Sequence, residues 1–285
     1  MPSALYKKPY PGLVGLVIGF LSQWLGHAIW SFLRGAFELH EIVELLVGLI
    51  GFAAIWYGLK KNEVISTLAG ILGGLLIWVG WFEFTFDFFS SFFGLTEWAS
   101  PNGSTGEGGT ILLMSTMPLM LSLLLIYGFA NRQTKCNFLR WFQRRFHLDP
   151  GKPTSGNGRS YARITAMEAL FVTWFCYQYW LYIGYLASET VFMFAYIGWV
   201  AWGIYILLKL IKISRVAFAF RYGFPVGVVL WGAFEMPSYL GFYDEYWLKP
   251  FDYPVLTVIV TLIFAGGFAY GALSPAALKV TEPEK

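Results

Sequence analysis

Two acidic residues stand inside an almost entirely aromatic stretch, WVGWFEFTFDFF, at positions 78–89. They are Glu83 and Asp87, and their spacing of four residues puts both carboxylates on one face of a helix. A second stretch, FELHEIVELL at 37–46, repeats that spacing with His40 and Glu44. If the two helices are antiparallel neighbours, His40, Glu44, Glu83 and Asp87 converge. Such a set of nitrogen and oxygen ligands predicts a divalent metal ion, such as iron, manganese or zinc, as the cofactor.

The same residue types also have a structural interpretation. Glu41 and Glu44 lie in the first turn of a helix, where the helix dipole favours negative charge. Glu38 can form an ion pair with Arg34 one turn earlier. His27 lies nearer the middle of the bilayer, where a histidine is either a hydrogen-bonded packing residue or part of a proton relay. We assign His27 and Glu41 to such a relay or to a cavity that leads to the acidic cluster.

The elements that position these residues are predicted to be membrane-spanning helices. The chain is 57% apolar, 20% aromatic and only 13% charged, which is outside the usual composition of a soluble domain. A helix needs about 20 apolar residues to cross about 30 Å of hydrocarbon, and backbone polar groups in lipid must be paired within the segment. We therefore predict an all-α, polytopic integral membrane protein with eight spans, at about 12–33, 41–59, 66–88, 110–129, 164–186, 190–210, 216–236 and 253–273.

Charge predicts the orientation of these spans. Of the 20 lysines and arginines, only Arg34 and Lys249 fall on the side opposite to the rest, and basic residues concentrate in cytoplasmic loops. Both termini are therefore expected in the cytoplasm, in a bacterial inner membrane or a eukaryotic plasma membrane or endomembrane. Most of the 17 acidic residues lie near the outer face, which would attract cations or a basic soluble partner. They are alternatively the residues left where basic ones are excluded.

The chain contains an internal repeat. QWLGHAIW at 23–30 resembles TWFCYQYW at 173–180, and WVGWFEF at 78–84 resembles LWGAFEM at 230–236. HEIV at 40–43 and IYGFA at 126–130 match SETV at 188–191 and AYGAL at 269–273 in the same order. We therefore predict two tandem four-helix units of the same orientation, at 10–131 and 164–274, followed by a cytoplasmic tail at 275–285. Their axis should lie along the membrane normal.

The repeat separates architectural residues from functional ones. Glu41 and Glu83 have the counterparts Glu189 and Glu235, so these four are interpreted as structural repeat partners. Residues that only the first unit carries are the better candidates for function. In the second unit, His27 is replaced by Tyr177, His40 by Ser188, Glu44 by Phe192 and Asp87 by Tyr239.

Residues 132–163 form a basic, turn-rich cytoplasmic linker between the units. Within it, 136–147 is predicted to be a short amphipathic helix on anionic lipid. GKPTSGNG at 151–158 lacks the ending of a phosphate-binding loop, and the intramembrane histidines do not provide paired axial ligands for haem. We expect neither a nucleotide nor haem, no nucleic acid partner, and no disulfide between Cys136 and Cys176.

Three functions remain open. The first is binding or passage of a metal cation or proton, in transport or membrane redox chemistry. The second is an enzyme that acts on a hydrophobic or lipid substrate, with Glu83 or Asp87 as its acid or base. The third is a non-catalytic subunit that contacts other membrane subunits or a basic partner. The sequence assigns no catalytic residue beyond these candidates.

Overall fold

The computed structural model describes residues 4–38, 40–131, 134, 137–148, 160–239 and 241–278. These residues form an all-α bundle with one small β-hairpin, of β1 (Glu97–Ala99) and β2 (Thr105–Glu107). The helices are α1 (Tyr10–Ala36), α2 (His40–Gly58), α3 (Glu63–Ile77), α4 (Phe84–Phe92), α5 (Gly108–Ser115), α6 (Met117–Ala130), α7 (Asn137–Arg145), α8 (Tyr161–Leu186), α9 (Glu189–Leu210), α10 (Val216–Tyr239), α11 (Pro254–Ala272) and α12 (Pro275–Leu278).

Six helical stretches of this described part are long and apolar enough to cross a membrane. They are α1, α2, the stretch from α3 to α4, α9, α10 and α11. The pair α5 and α6 is bent by 40° and makes a seventh if it counts as one span. The predicted count of eight is not confirmed, because α8 is not among the six. Although α8 has 26 residues, polar side chains such as Glu168, Thr173 and Gln178 lower its mean hydropathy.

The helices alternate in direction and define two ends. At the hairpin end, α1, α4 and α8 finish and α2 and α9 begin. At the linker end, Glu63 at the start of α3 accepts hydrogen bonds from Arg221 (2.5 Å) and Arg215 (3.2 Å). Arg221 also donates to Thr67 at 2.8 Å. These contacts join α3 to α10, which lie far apart in the sequence.

Two close helix pairs form the centre of the bundle, α1 with α10 and α3 with α8. Both depend on small residues, which allow membrane helices to approach closely. A Cβ atom at Gly19 would lie 2.6 Å from the Gly223 carbonyl oxygen, and one at Gly70 would lie 2.5 Å from the Ala162 carbonyl oxygen. Each pair joins a helix from the first half of the chain to one from the second.

The third predicted span continues further than expected and is not a regular α-helix. Residues Trp78–Glu83 form a π-helical turn between α3 and α4. Gly80 is pressed against α2, since a Cβ atom there would lie 2.4 Å from the Glu44 carbonyl oxygen, and the Trp81 indole donates to the Leu45 carbonyl at 3.2 Å. Wide turns of this kind are frequent at functional sites, and this one ends on Glu83.

Outside the spans, the structure agrees with part of the linker prediction. Helix α7 occupies most of the predicted amphipathic segment 136–147, and its Gln143 is buried and donates to the carbonyls of Gly128 (2.7 Å) and Asn131 (3.0 Å). Cys136 and residues 149–159 lie outside the described residues. Cys176, by contrast, is described, and it is a free, buried thiol in α8.

Candidate functional site

An arginine occupies the place where a metal ion was predicted. Arg34 Nε lies 3.2 Å from Glu44 Oε1, and its Nη2 lies 2.8 Å from Asp87 Oδ2. The Trp30 indole donates to the same Asp87 oxygen at 3.1 Å, and its ring lies under the guanidinium at 4.4 Å. The structure therefore places two of the four residues predicted to converge, Glu44 and Asp87, on one guanidinium. The positive charge between the two carboxylates is the Arg34 guanidinium.

The other two predicted ligands lie elsewhere. His40 is partly exposed at the start of α2, with Nε2 3.7 Å from Glu41 Oε1. Glu83 accepts a hydrogen bond from the Trp78 indole at 2.8 Å. No group of three or more histidine, cysteine, aspartate or glutamate side chains in the described part of the chain is arranged to hold a metal ion. Glu83 and Asp87 therefore have different partners, which are Trp78 for Glu83 and Trp30 with Arg34 for Asp87.

His27 is the centre of a second cluster, which joins the two halves of the chain. Its Nε2 lies 3.2 Å from Glu235 Oε1 on α10 and 3.0 Å from the Tyr177 hydroxyl on α8. Glu235 was interpreted as a structural repeat partner, yet it is the carboxylate that contacts His27. Tyr177 is the residue that the repeat aligns with His27, so equivalent positions of the two halves touch each other. The fourth repeat partner, Glu189, begins α9 at the hairpin end.

A small enclosed cavity lies beside this cluster. Its volume is about 10 Å³, which is close to the minimum for one water molecule. His27, Glu83 and Tyr177 line it together with Ser22, Gln23 and Thr173. These polar side chains suit an ordered water, which would extend the hydrogen-bonding network of His27 away from the hairpin end.

A much larger cavity of about 1530 Å³ reaches the same cluster from the hairpin end. Its lining combines acidic and aromatic residues and includes the β-hairpin. Asn102 in the hairpin turn donates to the Gly184 carbonyl at 2.8 Å and ties this wall to α8. No lysine or arginine stands among the described lining residues, whereas seven carboxylates do: Glu83, Asp87, Glu97, Glu107, Glu189, Glu235 and Glu245. A cleft lined by one sign of charge concentrates ions of the other sign.

Glu245 is a lining carboxylate of this cavity that lies outside the membrane-spanning helices, in the loop after α10. Partial burial raises its pKa, and the nearby Glu235 carboxylate raises it further, while His27 opposes both effects. Because the folded pKa lies above the unfolded one, this group makes the fold less stable as pH rises from the usual glutamate range of about 4.3 through the folded pKa. The penalty is absent in more acidic solution.

We expect Glu245→Gln to raise the melting temperature at neutral pH and to leave it nearly unchanged in acid, because only the charged carboxylate carries the penalty. Thermal unfolding in detergent at both pH values measures this. Asp244→Asn is the matched control, because the Asp244 side chain is exposed and its Oδ2 lies 3.8 Å from Lys249 Nζ. An equal gain for Glu245→Gln in acid would mean that charge is not the cause.

Sequence reasoning missed Tyr177 and Glu245, in addition to the role of Arg34. Tyr177 was noted only as the replacement for His27, and Glu245 only as one of many acidic loop residues. The predicted repeat offered a signal for Tyr177, because equivalent residues of two units related by an axis would lie close together near that axis. No comparable signal pointed to Glu245, whose position depends on how the loop 241–253 folds back onto the bundle.

Comparison with known proteins gives no assignment. No family model matches the chain, and neither a curated protein nor a solved structure matches it.

Proposed function

We propose that the protein is a multi-pass membrane protein that binds a cation in the acidic cavity and exchanges it for a proton at His27. The observation that carries this proposal is the composition of the large cavity, with seven carboxylates and no lysine or arginine among its described lining residues. Ionisable groups at membrane depth are costly to place. A cation is the ligand that such a lining favours.

The contacts of His27 suggest how proton and cation are coupled. When His27 is protonated, Nε2–H donates to Glu235 at the observed 3.2 Å. When it is neutral, Nε2 can instead accept from the Tyr177 hydroxyl at 3.0 Å. A cation that binds beside Glu235 competes with the imidazolium for the same carboxylate. Binding therefore favours loss of the proton from Nε2, and the proton leaves through the open cavity.

We further propose that the cavity lies between two tandem four-helix units, at 10–131 and 164–274, with α8 completing eight spans. The packing of α1 on α10 and of α3 on α8 supports this, because each pair joins the first span of one unit to the third span of the other. With both termini in the cytoplasm, as the loop charges favour, the hairpin end faces outward. The cavity is then open to the outside.

The predicted divalent metal remains a proposal of lower rank, since it would have to replace Arg34 between Glu44 and Asp87. Contacts with other membrane subunits or with a basic soluble partner also remain proposals. Metal analysis of the purified wild-type protein and of the His40→Ala and Asp87→Ala variants tests the first proposal. Co-purification in mild detergent tests the second.

The exchange proposal predicts a transition in tryptophan fluorescence with pH. The His27 ring centre lies 6.1 Å from that of Trp231, and a protonated imidazole quenches a nearby indole. In lipid nanodiscs we expect this transition in the wild type and its loss in His27→Tyr, which installs the residue of the second unit. We also expect at least one cation among sodium, zinc and tetramethylammonium to shift its midpoint to lower pH.

The matched control is His40→Tyr, because His40 lies apart from the cavity beside Glu41 and should leave the transition intact. The proposal is overturned if the transition survives in His27→Tyr. It is equally overturned if none of the three cations moves the midpoint.

A further inference from the structure

The walls of the large cavity carry information about the kind of cation. Between the carboxylates stand aromatic side chains, which are Trp30, Phe86, Tyr177, Trp180, Tyr185, Phe192 and Trp231. The face of an aromatic ring attracts a cation by about 0.5–2 kcal/mol, and it does so best for ions that are easily desolvated, such as substituted ammonium groups. A small inorganic ion prefers several converging oxygen atoms instead.

Such converging oxygen atoms are not found in the described part of the chain, where no group of three acidic, histidine or cysteine side chains is placed for a metal. The carboxylate pair that comes nearest to this arrangement, Glu44 and Asp87, is already bridged by Arg34. The carboxylates Glu83 and Glu235 are engaged one each with Trp78 and His27. Glu83 and Glu235 therefore act as separate charges and do not converge as ligands of one metal ion.

The aromatic walls are rigidly supported. Trp231 is only 2% exposed and packs edge-on against Trp247, with ring centres 4.9 Å apart. Trp180 is 6% exposed and lies 5.1 Å from Trp199 in the same manner. Because these rings are held in place before a ligand arrives, little conformational entropy is lost when one binds.

The size of the cavity also bears on the kind of ligand. The volume of about 1530 Å³ also exceeds the range of about 300–1000 Å³ that is common for small-molecule sites, so a bare ion would leave it largely empty.

We infer that the cavity binds an organic ammonium ion with an apolar body, with the charge near Glu235 and the body against the aromatic walls. This inference rests on the proposed function and names the class of cation. The carboxylates supply the charge complement, while Trp180, Phe192 and Trp231 distinguish the ion from a metal of equal charge.

Choline is a suitable probe, because it has a quaternary nitrogen and a hydroxyl and its neutral isostere, 3,3-dimethyl-1-butanol, differs only in charge. Calorimetry on the wild type in nanodiscs should detect choline and not the isostere. Glu235→Gln should weaken choline binding at least tenfold. Phe192→Leu should weaken it by about two- to thirtyfold, which is the cation–π contribution expressed as a ratio of dissociation constants, and Phe192→Trp should retain it.

Trp202→Leu is the matched control, since Trp202 lies on α9 with 42% of its surface exposed and does not line the cavity. Equal binding of choline and its isostere would overturn the inference in favour of a neutral, lipid-like ligand. If sodium or zinc shifts the midpoint of the His27 transition and choline does not, the inference is overturned and the proposed function stands. No shift by any cation, choline included, would remove both.

Discussion

Replacement of Arg34 by methionine is expected to lower the free energy of unfolding by about 3–5 kcal/mol, which is typical when one member of a buried ion pair is removed. The Glu44 side chain is fully buried, and Asp87 is largely buried beside it. Without the guanidinium, both carboxylates lose the cation that compensates their desolvation. Equilibrium unfolding in mixed detergent measures the difference.

Three variants test this explanation. Lys249→Met removes the cation of an exposed ion pair, in which Lys249 Nζ lies 3.8 Å from Asp244 Oδ2. This change should lower the free energy of unfolding by no more than about 1 kcal/mol. Arg34→Lys should be intermediate, because a single ammonium cannot match the separate contacts that Nε and Nη2 make. Arg34→Met combined with Glu44→Gln and Asp87→Asn should recover part of the loss. No recovery in the combined variant would show that the arginine stabilises the fold through packing alone.

A different variant, Arg34→Ala, distinguishes the arginine bridge from the predicted metal site. Removing Arg34 leaves Glu44 and Asp87 adjacent, so a divalent cation has its best chance of binding in Arg34→Ala. If zinc or manganese stabilises Arg34→Ala and not the wild type, the carboxylates are able to ligate a metal and the arginine is what excludes it.

Helix spacing accounts for only part of the predicted cluster and gave the wrong partner for Arg34. The spacing of four residues favoured Glu38, which lies beyond the end of α1 and is exposed. The structure instead pairs Arg34 with Glu44 and Asp87 from two other helices. Burial explains the choice, because a desolvated carboxylate gains far more from a guanidinium than an exposed one does. Burial depends on tertiary packing, which helix periodicity alone does not contain.

The helical class and most of the apolar helices could be predicted, since composition and length are sufficient for that. The π-helical turn at Trp78–Glu83 could not, because it arises where Gly80 is pressed against α2. Glu83 and Asp87 have different partners despite their helical spacing, because Glu83 accepts from Trp78 within the turn and Asp87 contacts Trp30 and Arg34 on α1. The repeat pointed to His27 and Tyr177 as equivalents, yet their contact required knowledge of how α1 and α8 meet.

Substitution of Gly223 tests the interface that brings His27 and Glu235 together. A Cβ atom there would lie 2.4 Å from the carbonyl carbon of Gly15 on α1. Because backbone atoms cannot rotate away as side chains do, we expect Gly223→Ala to cost at least about 1–3 kcal/mol, the usual range for overpacking, and Gly223→Val to cost more. Unfolding in mixed detergent measures both.

The control is Gly198→Ala on α9, where an added Cβ would meet nothing within 4 Å. It should be neutral or stabilising, since alanine is favoured over glycine in a helix by about 0.5–1 kcal/mol. Any relief of the clash by moving α10 away from α1 also separates Glu235 from His27. Gly223→Ala should therefore lower the stability and also change the pH transition of tryptophan fluorescence. Gly198→Ala should leave the transition unchanged and should not lower the stability. Normal stability in Gly223→Ala would mean that α1 and α10 are not in such close contact.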